Sequence, residues 1–262
     1  MSEPSILFSL ENGIARITLN RPDKLNSFNA EMHELLRQAL TQVETRGARV
    51  LVLTGKGRGF CAGQDLSARV ATPGQQRVDL GESIEKNYAP LVKRLRALPM
   101  PVVVGVNGVA AGAGANLALA GDIVIARESA SFIEPFCRLG LLPDTGGTYI
   151  LPRLVGRARA MGMALLGDKI SARKAEQWGL IWECVPDDEF DLRLDALALQ
   201  FAAAPTKGLA ATKHAINQSL GHSLAQQLDL ERDLIRELGY TDDYAEGVAA
   251  FMAKRAPQFK GQ

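Results

Sequence analysis

Twice along this chain an apolar, β-branched run ends in a loop made almost wholly of small side chains, and that repeat limits the folds available. Val50-Leu51-Val52-Leu53-Thr54 leads into a glycine-rich loop over residues 55–63, and Val102-Val103-Val104-Gly105-Val106 leads into Asn107-Gly108-Val109-Ala110-Ala111-Gly112-Ala113-Gly114-Ala115-Asn116. Runs of this composition form strands. Loops free of bulky side chains let main-chain amides approach a ligand. The second loop passes from a strand into a helix, where the first N–H groups lack intrahelical acceptors and sit at the positive end of the dipole. Two amides aimed at one oxygen make an oxyanion hole, worth about 3–4 kcal/mol per donor. Each loop alone is better explained as a tight packing turn; two of them after consecutive strands weaken that explanation. A dinucleotide fingerprint fails, because Leu117 stands where the third glycine of G-x-G-x-x-G belongs.

Residues 5–19 read as two short strands joined at Glu11-Asn12-Gly13, where Asn-Gly supplies the positive φ angles of a hairpin turn. Asn29 is placed to cap a helix whose Met32, Leu35, Leu36, Leu40 and Val43 fall at helical spacing. An amphipathic stretch over residues 84–98 precedes the second strand, a short apolar helix follows the second loop, and another strand is expected over residues 122–126. This order predicts repeated ββα-like units. Residues 72–76 contain Pro, Gly and Gln without periodicity and read as a mobile connection near the first loop. Beyond residue 189 the pattern is helical throughout. Residues 1–188 are therefore expected to form an α/β core holding the site, and residues 189–262 a helical region suited to oligomer contacts.

A chain of 262 residues, 47% apolar and 23% charged, is long enough to bury a substantial core. Its net charge of +1 offers no general field for polyanions, so an anionic ligand must be held by local groups. Cys61, Cys137 and Cys184 form no C-x-x-C, which disfavours a disulfide framework or zinc knuckle and fits a reducing cytoplasm. No basic segment precedes a long apolar stretch at the N-terminus, and nowhere do eighteen apolar residues run together, so neither export nor membrane insertion is expected.

The stretches R-G-F-C-A-G-Q-D-L (residues 58–66) and N-G-V-A-A-G-A-G (107–114), with N-R-P-D-K-L-N-S-F (20–28) and G-L-L-P-D-T-G-G-T (140–148), resemble the enoyl-CoA hydratase/isomerase, or crotonase, superfamily over essentially the whole chain. The resemblance implies a spiral of ββα units with a C-terminal helical trimerisation region. It also implies an acyl-CoA substrate, no separate cofactor or metal, and a homotrimer or dimer of trimers. Carried over by position, the oxyanion amides fall on Gln64 and Ala113, and adenine-side contacts near Lys24, Ala62 and Gln64. Lys254 or Arg255 matches a cation used on the coenzyme A tail, reaching a neighbouring subunit. For any one of these surface cations a plainly solvated charge is an equal reading.

Hydratases of the family use two glutamates, at positions held here by Asn116 and Phe136. Neither exchanges a proton near neutral pH, so two-carboxylate activation of water is not expected. Asp144 stands where some isomerases of the family carry their single catalytic acid. Apolar neighbours in Leu141-Leu142-Pro143-Asp144 favour a raised pKa. From the residues alone an N-cap for a helix over residues 145–154 is the better explanation of Asp144; the family position reverses this and implies that it is the proton carrier. Phe136 offers a flat apolar wall for a ring or is plain core. Glu134, at an extended strand end, is expected to face water. G-R-A-R-A-M-G-M-A-L-L-G (156–167), Glu176-Gln177-Trp178-Gly179-Leu180-Ile181-Trp182 and the ending D-Y-A-E-G-V-A-A-F-M-A-K-R-A-P-Q-F (243–259) resemble the branch of the family that isomerises ring epoxides of phenylacetyl-CoA, and shifts a double bond in an unsaturated dicarboxylic acyl-CoA.

Other polar residues have simpler readings. Asp65 braces its loop and Asp122 is structural. Cys61 has no accompanying histidine and reads as a buried thiol. His33, His214 and His222 lack metal spacing and are surface or packing residues. Neither G-x-S-x-G nor a Walker loop is present, so hydrolase and phosphoryl-transfer readings lack their parts. Two alternatives stay open: a general enoyl-CoA isomerase or weak hydratase of aliphatic chains, and an RNA-associated binder through Lys93, Arg94 and Arg96. The basic cluster is short and reads as a solvated face.

Overall fold

Asn12 and Gly13 take positive φ, 51° and 78°, and turn β1 (Ile6–Glu11) back on β2 (Ile14–Leu19) as an antiparallel hairpin in which Glu11 faces Ile14. The computed structural model describes residues 3–69 and 79–262; the connection read at residues 72–76 lies outside them. Asn29 Oδ1 accepts from Met32 N at 2.9 Å and starts α1 (Ala30–Thr45), which buries Met32, Leu36, Leu40 and Val43. His33 joins them, 4.8 Å from the rings of both Phe28 and Tyr88, so it is a packing residue.

The chain then repeats one unit. β3 (Val50–Gly55) is followed by β4 (Gly59–Cys61), then by α2 (Leu80–Ser83), one π turn (Ile84–Tyr88) and α3 (Ala89–Ala97). β5 (Val102–Val106) is followed by β6 (Val109–Ala111) and α4 (Ala113–Leu119). β7 (Ile123–Arg127) is followed by β8 (Ser131–Ile133), a 3-10 turn (Pro135–Leu139) and α5 (Gly147–Leu166). The first strand of each pair enters a six-stranded sheet ordered β1-β2-β3-β5-β7-β10, with β10 at Glu183–Val185. The second strand enters a four-stranded sheet ordered β4-β6-β8-β9, where β9 is Ile170–Ser171 and leads into α6 (Ala172–Gln177). Each turn of the chain adds one strand to both sheets, which is the expected spiral of ββα units.

Strands buried on both faces explain the unbroken apolar runs. On one face of the large sheet Leu51, Leu53, Val102 and Val104 pack with α1, α3, α4 and α5. On the other, Val50, Val52, Val103 and Ile125 pack with Phe190, Leu194 and Leu197 of α7 (Phe190–Ala202). Each such side chain contributes about 1.5–3 kcal/mol. The helical region beyond residue 189 thus begins as a cover for the sheet. It continues through α8 (Thr206–Ser219), α9 (Leu224–Leu238) and α10 (Asp242–Met252), after which the tail returns to Arg49 at the start of β3. Arg49 donates to Phe259 O, Ala204 O and Thr206 Oγ1. Among the described residues no helix is long and apolar enough to cross a membrane.

Asn26 fastens the N-terminal loop to the first glycine loop. It takes φ 55°. Its fully buried amide donates to Lys56 O at 3.0 Å and Gly59 O at 2.8 Å, while its Oδ1 accepts from Arg21 N at 2.7 Å. Alanine would leave Lys56 O and Arg21 N unpaired in a left-handed backbone, while Gly59 O keeps a longer bond from Asn107 Nδ2. Asn26→Ala is expected to cost about 2–4 kcal/mol in urea denaturation.

Candidate active site

The two glycine loops meet because the main chain carries almost no side-chain bulk between them. A Cβ on Gly114 would lie 2.2 Å from Cys61 O, so the first turn of α4 sits directly on β4. A Cβ on Gly63 would lie 2.9 Å from Ala111 O and 3.3 Å from Ala113 N, which brings the peptide preceding Gln64 against the start of α4. Phe28 pairs with this strand end by donating to Gly63 O and accepting from Asp65 N. In a parallel bridge the straddled residue, Gln64, points its own N–H the other way, and no acceptor among the described residues takes it. Ala113 opens α4, so its N–H has no acceptor within the helix, and no side chain caps that end. Two unpaired N–H groups, one from each loop, therefore lie side by side.

Side chains missed in the sequence fix this arrangement. Tyr88, turned inward from the π turn, donates its hydroxyl to Gln64 Oε1 at 2.9 Å, and Gln64 Nε2 donates to Phe28 O at 2.9 Å. Asp65 braces the loop as read. It accepts from Ser67 N and Oγ and from Arg21, and these bonds hold its carboxyl down to about 2. Cys61 is fully buried and donates its thiol to Asn26 O, and burial pushes it up to about 12, far from a nucleophile. Asp122 accepts from Val102 N and pairs with Lys213 at 2.8 Å, a structural tie between the sheet and α8.

Asp144 lies in the loop before α5. It does not cap that helix: the N-cap is Gly146, with φ 85° and no side-chain bond. Its Oδ1 accepts from Thr145 Oγ1 at 2.8 Å, and its main-chain carbonyl accepts from Asn116 Nδ2 at 2.9 Å. Asn116, the fourth residue of the same α4 that opens with Ala113, thus ties the main chain of Asp144 to that helix. Phe136 is 7% exposed and its ring edge stands 3.5 Å from where a Cβ of Gly112 would be, so it walls the turn before Ala113.

Glu134 departs from expectation. It is 1% exposed rather than facing water, and Asn116 Nδ2 donates to its Oε2 at 3.3 Å. Phe132, Glu134 and Phe136 are all buried, so a period-two count from Phe132 would have placed it on the inner face. Burial pushes its carboxyl up to about 8, with the Asn116 bond opposing and the charge of Asp144 adding to the rise.

Lys24 and Ala62 are brought beside Gln64, since Ala62 N donates to Leu25 O at 2.9 Å; Lys24 is exposed. Lys254 and Arg255 are not. The tail that follows them is bound at Arg49, before β3, whereas the glycine loops lie beyond its end. Arg255 is committed to Glu246 through two bonds of 2.6 and 2.7 Å. The basic cluster is divided rather than solvated as one face: Arg94 bonds Glu44 and Thr41, while Arg96 bonds Asn217. Lys93 and Arg96 line a cavity of about 670 Å³ between α3 and α8, whose lining does not include Asp144. Among the described residues no three His, Cys, Asp or Glu side chains converge as metal ligands.

Residues 9–262 match the model of the enoyl-CoA hydratase/isomerase family. The chain belongs to that family. Within the hydratase/isomerases it is 55% identical to the 1,2-epoxyphenylacetyl-CoA isomerase of Escherichia coli K12 over 258 residues, covering 98% of each chain. It is 37% identical to the 2,3-dehydroadipyl-CoA hydratase of the same organism over all of both chains. A crystal structure from Mycobacterium abscessus assigned to the hydratase/isomerases superposes with a TM-score of 0.93 at 34% identity, over 98% of this chain and 100% of that one.

The buried acid has a consequence for stability in this hydratase/isomerase. Unfolded, Glu134 titrates near 4.5; folded, near 8. Between those values folding takes up a proton, so this group lowers stability as pH rises and its penalty is complete above 8. Glu134→Gln is expected to stabilise the fold by about 2–4 kcal/mol at pH 8 and far less at pH 5. Thermal unfolding at the two pH values checks this.

Proposed function

We propose that this chain is an acyl-CoA isomerase that converts 2-(1,2-epoxy-1,2-dihydrophenyl)acetyl-CoA to 2-oxepin-2(3H)-ylideneacetyl-CoA, and that it also moves the double bond of 3,4-dehydroadipyl-CoA to the 2,3 position. The observation that carries this is the placement of Asp144. Its side chain is partly exposed and its main-chain carbonyl is held by Asn116, on a helix whose first N–H is unpaired, with Asn116 and Phe136 where hydratases carry glutamates. Glu134 does not restore the hydratase pair, because it is closed off from solvent behind Asn116.

In this mechanism the Gln64 and Ala113 amides bind the thioester oxygen. Negative charge develops there as Asp144 removes the α proton, and fixed main-chain donors stabilise it without reorganisation. The arene oxide opens to its oxepin form, and Asp144 returns the same proton to the ring carbon. The substrate carries its coenzyme A with it, and no separate cofactor takes part. Phe136 supplies the apolar wall against which a ring lies. The same two amides and one base serve the double-bond shift, which also passes through an enolate.

Lys24 and Ala62, beside Gln64, are assigned to the adenine side of coenzyme A. Lys254 and Arg255 are assigned to the tail of a substrate held by an adjoining subunit. A homotrimer, or a dimer of trimers, is supported by the apolar side chains that α7 to α10 leave uncovered: Leu192, Leu199, Leu224, Ile235 and Phe251 are each more than half exposed. Light scattering is expected to give the mass of three or six chains.

Asp144→Asn is expected to lower kcat by roughly 10²–10⁴ while leaving acyl-CoA affinity within a fewfold. Turnover of the epoxide thioester, a 3-enoyl thioester and the hydration of a 2-enoyl thioester should be measured side by side. Unchanged turnover by the variant would remove Asp144 from the mechanism. Preference for the aliphatic 3-enoyl substrate would make the protein a general enoyl-CoA isomerase.

A further inference from the structure

Two buried acceptors at the site have no hydrogen-bond partner: Asn116 Oδ1 and Glu134 Oε1. They belong to the two groups already joined by the bond from Asn116 Nδ2 to Glu134 Oε2. An amide and a carboxylate meeting this way leave one oxygen bare on each. A single proton on Glu134 removes the mismatch, since the acid O–H becomes a donor and Asn116 Oδ1 is an acceptor in want of one.

We propose that Glu134 is a positioning residue for the proton transfer, held as a neutral acid paired with Asn116, so that no second negative charge stands beside Asp144 in this cluster of described residues. The assignment rests on the function proposed above. Asn116 Nδ2 divides between Glu134 and the main-chain carbonyl of Asp144, so the pairing also sets where Asp144 stands. Each element packed around Glu134 fits a neutral group. From α4 it meets the uncharged Asn116, and from the loop before α5 it feels Asp144, which is acidic. Within its own turn Arg138 points outward to Asp168, 3.8 Å away at the end of α5, both exposed. No cation among the described residues pairs with Glu134. A second anion would face Asp144 and the enolate without a counter-charge, which raises the cost of forming the enolate. Burial pushes the carboxyl up to about 8, in the same direction.

Two measurements test this. The infrared difference spectrum between the parent protein and Glu134→Gln, taken without substrate, should carry a protonated carboxyl band at pH 7 that is lost as the pH is raised past about 8. The second is the pH dependence of kcat/KM on the epoxide thioester. For the parent it should fall about tenfold per pH unit above a midpoint near or above 8. Glutamine copies the donor and acceptor of the neutral acid, so Glu134→Gln should lose about two- to fivefold at pH 7 and no longer show the alkaline fall. Glu134→Leu, which cannot pair with Asn116, should lose well over tenfold at every pH while giving a native circular dichroism spectrum. An ionised Glu134 at pH 7, or the same alkaline fall in parent and glutamine variant, overturns the proposal. Because the infrared titration needs no turnover, a protein that shows the protonated band but leaves the epoxide untouched counts against the reaction and not against the state of Glu134.

Discussion

Between β4 and the first turn of α4, two stretches of main chain run closer than any side chain permits, and the site is arranged around that contact. The Cβ that Gly114 lacks would sit 2.2 Å from Cys61 O, and the one that Gly63 lacks would sit 3.3 Å from Ala113 N. Close-packed interiors tolerate such an approach only where glycine supplies it. With it go the parallel pairing of β4 with β6, the approach of the peptide preceding Gln64 to the start of α4, and the reach of Asn116 from α4 to the loop of Asp144. The remaining bonds at the site serve to keep the two chains there: Asn26 on the first loop, Tyr88 on the Gln64 side chain, and Phe136 against the turn at Gly112.

The large sheet was legible in the sequence because its strands are long and β-branched. The Asn12-Gly13 hairpin, the Asn29 cap and the strand at residues 102–106 were all readable from local rules. The small sheet was not. Its members β4, β6 and β8 are three residues each, and Gly59, Cys61, Ala110 and Ala111 carry no strand preference; their pairing is set by the sheet beneath them. The second strands of the first two units were therefore hidden inside what looked like loops, whereas the stretch that forms β8 read as an extended strand end.

At the site, sequence identified Gln64, Ala113, Asn116, Phe136 and Asp144 as a group, and the fold brings these positions together. It misplaced Glu134, because a glutamate before a proline resembles a solvated strand end and the depth of the small sheet could not be known. The cap explanation for Asp144 also gave way, since a left-handed Gly146 takes the cap position and frees the carboxylate from helix initiation. Tyr88 falls at helical spacing with Ile84, Leu91 and Leu95, which marks it as a buried position but not as the partner of Gln64, a contact 24 residues away that only the fold creates.

In the proposed mechanism the oxyanion donors are main-chain amides, and that has an evolutionary consequence. A side-chain donor disappears with one codon change, but a backbone N–H survives any substitution the loop can accommodate. The costly half of the chemistry is thereby built into the fold itself, and the acids and bases around it become exchangeable parts. A relative named as a hydratase at 37% identity and one named as an epoxide isomerase at 55% fit that picture. On that mechanism, substitutions at positions such as 116, 134, 136 and 144 would redirect the reaction while the enolate stays within reach, so a new activity would not have to pass through an inactive ancestor.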